Sequence, residues 1–202
     1  MPVHKDRISP ANNGVFNGEK MTRTAILSRD RAPVDSQATL DGFEKFFGFV
    51  PNLLAVMAQS PHPLAGFKGL QIPLEKTLDA GMRERIALAV SEVNGCEYSI
   101  RAHSYIGARF SKLDAAELQT SRYGKSSDPK TGAAVQFAKK VTETRGKVRD
   151  ADLQVVCDTG WTDAQIIEII ARGVQFLYTN FVNNVFRTEI DFPAPETIAD
   201  EA

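Results

Sequence analysis

From Ser36 onward, apolar residues recur at intervals of three and four, and no alternating apolar run is long enough for a strand, so the pattern predicts an all-α protein. Ser36 caps a first helix that runs through Phe47, and Pro51 takes the first position of a second over Asn52-Leu53-Leu54-Ala55-Val56-Met57. Pro61 and Pro63, with His62 between them, read as a turn. Asp79 precedes a helix in which Met82, Ile86, Val90 and Val93 form one apolar stripe while Leu88 extends apolar character to another face, the mark of a buried helix. Asn94-Gly95 stops it, because both residue types accept the left-handed conformation that ends helices, and a new helix begins at Cys96 and runs to about Arg109. Ser111 to Asp114 resembles a capping box with Asp in place of Glu or Gln, and Asp128-Pro129 supplies an N-cap and a first-position proline. Thr162 to Gln165 is a cleaner capping box. It opens a long helix through about Val185 with Ile166, Ile167, Ile169, Ile170, Val174, Phe176 and Leu177, which reads as the central core helix.

These elements fit one domain, as expected for 202 residues. Residues 1–36, rich in Asn, Asp, Arg, Pro and Gly without a sustained period, read as an irregular N-terminal arm; residues 37–190 form the helical domain and 191–202 a C-terminal tail. The chain carries 24 Lys and Arg against 25 Asp and Glu, so it has no basic field to collect a phosphate backbone, and nucleic acid is not an expected partner. Two cysteines, Cys96 and Cys157, are too few for a disulfide framework and point to a reducing compartment. The N-terminus lacks the apolar run of a signal peptide, and the most apolar later stretch is broken by Glu168, Arg172 and Asn180, so the expectation is a cytoplasmic protein without a membrane segment. With no spaced Cys/His set, no G-x-G-x-x-G and no Walker loop, neither a metal nor a cofactor is indicated. Residues 163–185 offer more apolar surface than one small subunit covers, which points to a homo-oligomer.

One constellation carries candidate chemistry. Cys96 to Ser99 is a step of three and Ser99 to His103 a step of four, so the three share a helical face and can meet one pocket. A thiol at a helix start gains from the positive end of the helix dipole, and a histidine one or two turns along can move a proton. Glu84, on the preceding helix, can orient that imidazole if the two helices pack antiparallel across Asn94-Gly95. Taken singly, each residue has a plainer reading. Cys96 is a small buried hydrophobe, His103 a core histidine bonded to a carbonyl, Glu84 half of an ion pair with Arg83 or Arg85. Cys157, in an apolar helical run, is a packing residue or a distant resolving thiol. Only the joint spacing argues for a site.

Glu84, eleven residues, Cys96, two residues, Ser99, three residues, His103 resembles the E-x11-C-x2-C-x3-H signature of the alkylhydroperoxidase D-like (AhpD-like) family, which includes the carboxymuconolactone decarboxylases. Phe49-Val50-Pro51-Asn52-Leu53, Ser60-Pro61 and Val93 to Tyr98 look like that family as well, over roughly residues 40–190. The resemblance implies an AhpD-like helical bundle assembled into trimers or larger rings, and peroxide reduction by two cycling cysteines assisted by Glu84 and His103. Serine stands at 99, where the family has its second cysteine, and a hydroxyl can neither form a disulfide nor attack without a strong base. What the resemblance then implies is a peroxidase-related antioxidant oxidoreductase that is impaired or works through Cys96 alone, restored by an external thiol reductant. The alternatives are a decarboxylase-like lyase using His103 and Glu84 on a small carboxylic acid or lactone, or a non-catalytic oligomeric scaffold.

Overall fold

The computed structural model describes residues 22–193 and contains, among them, nine α-helices and no strand, after one 3-10 turn at Arg29–Arg31. The helices are α1 (Val34–Phe47), α2 (Asn52–Met57), α3 (Pro61–Leu74), α4 (Ala80–Val93), α5 (Glu97–Ser111), α6 (Ala115–Arg122), α7 (Pro129–Thr144), α8 (Asp150–Asp158) and α9 (Asp163–Phe186). The all-α expectation therefore holds across the described residues.

Side-chain caps fix where several of these helices start. Asp79, Asp114 and Asp128 each accept the backbone N–H three residues on, at 2.8, 2.7 and 2.8 Å, and Thr162 with Gln165 forms the expected capping box of α9. Other boundaries differ from the sequence reading. α1 starts at Val34 behind Pro33, and Ser36, buried one turn in, donates instead to the Ala58 carbonyl at 2.8 Å. Pro61 and Pro63 do not form a turn but open α3, where a missing N–H in the first turn costs nothing. Ser111 is no cap, because α5 continues through it and ends at Lys112 with φ 55°; the cap of α6 is Asp114.

α4 occupies the centre, not α9. Ile86, Ala87, Leu88, Ala89 and Val90 are fully buried in sequence, a run that covers every face, and α5, α6, α7 and α9 all pack on it. α9 buries one face, with Ile166, Ile169 and Phe176, and leaves Ile167, Ile170, Val174, Tyr178, Phe181 and Val185 exposed along the other. Buried Glu117 of α6 accepts from Arg85 of α4 at 2.8 Å and from Ser126 and Ser127 of the α6–α7 loop, which fastens that loop to α4. Burial raises its pKa, but those bonds outweigh it and hold the carboxyl at about 2.

The part of the fold that sets up the site is the turn between α4 and α5. Gly95 takes φ 58°, which glycine adopts without strain, and reverses the chain so that α5 runs back along α4. Three asparagines of α9 grip this turn. Asn180, fully buried, donates to Ser91 Oγ at 3.1 Å and accepts from the Asn94 side chain at 3.1 Å; Asn184 donates to the Asn94 carbonyl at 2.9 Å, and Asn183 to Ser99 Oγ at 3.3 Å. Asn180→Ala leaves the buried Ser91 hydroxyl without its partner and takes one of two acceptors from the Asn94 side chain, so it should lower unfolding free energy by about 1–3 kcal/mol in urea melts while leaving the helical circular dichroism signal unchanged. A loss below about 0.5 kcal/mol would show that this grip is unimportant.

Candidate active site

Antiparallel packing of α4 and α5 brings Glu84 and His103 face to face. Glu84 Oε2 lies 2.7 Å from His103 Nδ1, with both side chains largely buried. A carboxylate accepts, so Nδ1 carries the proton and the lone pair sits on Nε2. The imidazole is held on its other side by Phe176, whose ring meets it edge to face with centroids 4.8 Å apart. A histidine fixed at one nitrogen and braced by a ring is positioned to exchange a proton at the other.

The second pair is Cys96 and Ser99. Cys96 is the N-cap residue of α5 rather than its first helical residue; it is fully buried, and its Sγ donates to Ser99 Oγ at 3.2 Å. Around it pack Tyr98, Ala102 and Phe192, with Phe47, Phe49 and Tyr105 at the edge. The C-terminal segment closes this cluster. Phe192 meets Phe49 and Tyr98 edge to face, and the Asp191 carboxylate accepts from the Asn52 backbone N–H at 2.6 Å, at the start of α2. Burial pushes the Asp191 carboxyl up, and burial with the neighbouring Asp191 charge does the same to the Tyr98 phenol. Asp191 and Phe192, placed by the sequence reading in the tail, are thus part of the packed structure; of the expected tail, residues 194–202 lie outside the described residues, as do residues 1–21 of the arm.

A cavity of about 230 Å³ joins the two pairs. Ser99, His103 and Glu84 line it, and phenylalanines from α1, α3, α5 and α9 make much of the rest of its wall. Cys96 does not line it; the thiol reaches no nearer than its bond to Ser99. The four residues singled out by spacing are therefore assembled, but three face the cavity and one is sealed behind them. Cys157 packs against the α4–α7 core, in a different cluster from Cys96.

Two cavity residues escaped the sequence reading as site residues. Arg172 and Gln175 of α9 are almost completely buried, and Arg172 Nη1 donates to Gln175 Oε1 at 2.6 Å. Burial first, and the nearby Arg83 charge second, bring the Arg172 guanidinium down to about 10, still a cation at neutral pH. In sequence Arg172 registered only as an interruption of an apolar helix. That interruption was the available signal, since a charge within such a run is either exposed or buried for a reason. Among the described residues no group of His, Cys, Asp and Glu is arranged to hold a metal ion, and no helix is long and apolar enough to cross a membrane.

Comparisons with known proteins agree with this architecture. The sequence model of the carboxymuconolactone decarboxylase family matches residues 61–140, a segment that contains Glu84, Cys96, Ser99 and His103. The fold is that of the alkylhydroperoxidase AhpD core. An uncharacterized peroxidase-related protein of that core from Ralstonia eutropha JMP134 superimposes with a TM-score of 0.76 at 25% identity, over 86% of this chain and 94% of that one. A second uncharacterized peroxidase-related protein, from Silicibacter sp. TM1040, gives 0.74 at 25% identity over 87% and 95%. The debrominase Bmp8, as an alanine-for-cysteine variant in complex with 2,3,4-tribromopyrrole, gives 0.73 at 22% identity over 90% and 99%, a likeness of fold. No curated protein sequence matches the chain.

The geometry makes a specific statement about position 99. The Cys96 Sγ to Ser99 Oγ contact of 3.2 Å means that a sulfur in place of that oxygen needs only a small approach to reach the S–S distance of about 2.0 Å. Ser99→Cys should therefore form an intramolecular disulfide under mild peroxide, leaving Cys157 as the titratable thiol, whereas wild type should keep both of its thiols. If every thiol of the variant stays titratable, the two side chains do not meet as described.

Proposed function

We propose that the cavity is an acid–base site in which His103 moves a proton on a small substrate, in a lyase-type or isomerase-type reaction of the kind that the carboxymuconolactone decarboxylase family name denotes. The observation that carries this reading is the division of the four residues: the Glu84–His103 pair lines the cavity, and the Cys96 thiol does not. Glu84 orients the ring through Nδ1, so that Nε2 can accept a proton from a carbon or hydroxyl and return it to a neighbouring atom. In a decarboxylation the bond to the leaving carboxylate breaks, its electron pair remains on carbon, CO2 departs, and the imidazolium delivers the proton that completes the product. Phenylalanine walls exclude water and keep the pair's electrostatics strong.

A second reading has its own support. Cys96 is a free thiol one hydroxyl away from the cavity, and the fold is shared with peroxidase-related proteins. In that chemistry the sulfur attacks the peroxide O–O bond, giving a sulfenic acid and an alcohol; one external thiol condenses with the sulfenic acid with loss of water, and a second releases the cysteine as the two external thiols leave as a disulfide. The two readings separate cleanly. Proton exchange or decarboxylation of small keto acids and lactones, including carboxymuconolactone, followed by NMR in deuterated water, should fall about 100-fold or more in His103→Ala and stay within about threefold of wild type in Cys96→Ala. Hydroperoxide consumption that disappears in Cys96→Ala, with no exchange activity in wild type, would favour peroxide reduction instead.

We infer further that the chain works as a homo-oligomer built on α9. Ile167, Ile170, Val174, Tyr178, Phe181 and Val185 are exposed at steps of three or four residues, one stripe along the helix, and a second copy of the same stripe is its natural cover. Light scattering should give a multiple of 22.2 kDa for wild type and the single-chain mass for the Val174→Glu, Phe181→Glu double variant. A wild-type protein that is monomeric at micromolar concentration would refute the oligomer.

A further inference from the structure

Arg172 is a charge that the fold itself does not use. Its side chain is 3% exposed and gives one hydrogen bond, to Gln175, while Nε and Nη2 are buried without a partner. Among the described residues no carboxylate forms a salt bridge with it, and Glu75 and Glu84 favour its charge only from a distance. Glu84 is committed to His103, and Glu75 accepts from Gln71 at 3.2 Å. Arg83, the other arginine at the cavity, is spent on the Glu75 and Leu78 carbonyls at 3.0 and 2.6 Å. An unpaired buried cation strongly disfavours folding, so a guanidinium left in this state beside a cavity points to a partner that arrives with the ligand.

The surroundings define that partner. A guanidinium presents a planar fork of N–H donors that matches the two oxygens of a carboxylate. Much of the remaining wall is apolar, with phenylalanines from α1, α3, α5 and α9, which suits a flat apolar body, and the cavity is smaller than the roughly 300 Å³ at which drug-sized sites begin. Phe176 links the two polar groups: the Arg172 guanidinium carbon lies 5.8 Å from its ring centroid and the His103 ring 4.8 Å from it, so one small molecule can reach both.

We propose that Arg172 grips the carboxylate of a small, flat, apolar-bodied acid and thereby sets its reactive carbon before His103. This deepens the acid–base reading and rests on it for the identity of the reaction, though not for the binding. The gripped carboxylate is a handle and not the group that leaves, because an ion pair stabilises the carboxylate in the ground state and opposes its departure as CO2. The substrate therefore carries a second activating group, a keto, lactone or further carboxyl function.

The test uses the full chain with benzoate as probe and benzamide as its uncharged counterpart. By calorimetry, benzoate should bind wild type and lose at least about tenfold in affinity in Arg172→Met, while benzamide binds the two equally. Without ligand, Arg172→Met should melt at a higher temperature than wild type, because it removes an unpaired buried charge, and benzoate should raise the melting temperature of wild type alone. Arg172→Lys keeps the charge without the fork and should still lose several-fold in benzoate affinity, which covers the case in which the methionine variant does not fold. Benzoate affinity is measured apart from turnover, so that loss of chemistry in His103→Ala and loss of the anion grip in Arg172→Met are read separately. Equal benzoate affinity in wild type and Arg172→Met, no binding at millimolar benzoate, or a lower melting temperature for folded Arg172→Met would each overturn the proposal.

Discussion

Asn180 sits fully buried in the C-terminal third of α9, and its carboxamide holds Ser91 and Asn94 at the point where α4 turns into α5. Much of the site depends on that turn. If α5 did not double back along α4, Glu84 and His103, nineteen residues apart in sequence, would not meet, and Ser99 would not face the space beside them. The restraint is polar, and this matters because apolar packing alone tolerates sliding of one helix along another, whereas hydrogen bonds of about 3 Å to a specific amide do not. Asn183 extends the same restraint to Ser99 itself.

Within that frame the chemistry is partitioned by depth. The imidazole and its carboxylate sit at the wall of the cavity, the serine hydroxyl beside them, and the thiol one layer behind. A small-molecule ligand meets a base and a cation before it meets a sulfur. Family resemblance alone does not disclose this order, since the spacing of the motif is the same whichever residue faces the ligand.

Much of this was legible in the sequence, and the misses have physical causes. Helical periodicity and the caps at Asp79, Asp128 and Thr162 marked real helix starts because each rests on a local bond over three residues. The Glu84, Cys96, Ser99, His103 spacing revealed which residues assemble because a single glycine turn joins the two helices that carry them. Depth was not legible: a step of three on a helix does not say which end is covered, and Cys96 is covered by Phe192, almost a hundred residues away in the chain. Pro61 and Pro63 were misread because proline is as compatible with a first helical turn as with a loop, and Ser111 because the left-handed Lys112, an uncommon choice for a residue with a side chain, delays the end of α5. The value of the asparagines lies in contacts that span from α9 back to α4 and α5, and that of Arg172 in a cavity whose walls come from several helices, both beyond the reach of any local pattern.

The closing segment at Asp191 and Phe192 gives the molecule a built-in reporter. Its carboxylate is fastened to the first turn of α2 and its ring belongs to the cluster around the thiol, so Cys96 is reachable from that side when the segment lifts. The rate at which a maleimide modifies Cys96, set against that of the half-buried Cys157, then clocks local opening in the native state without any engineered label. For the same reason a chain cut before Asp191 would carry a more accessible sulfur, and its thiol reactivity would measure the truncation rather than the native protein.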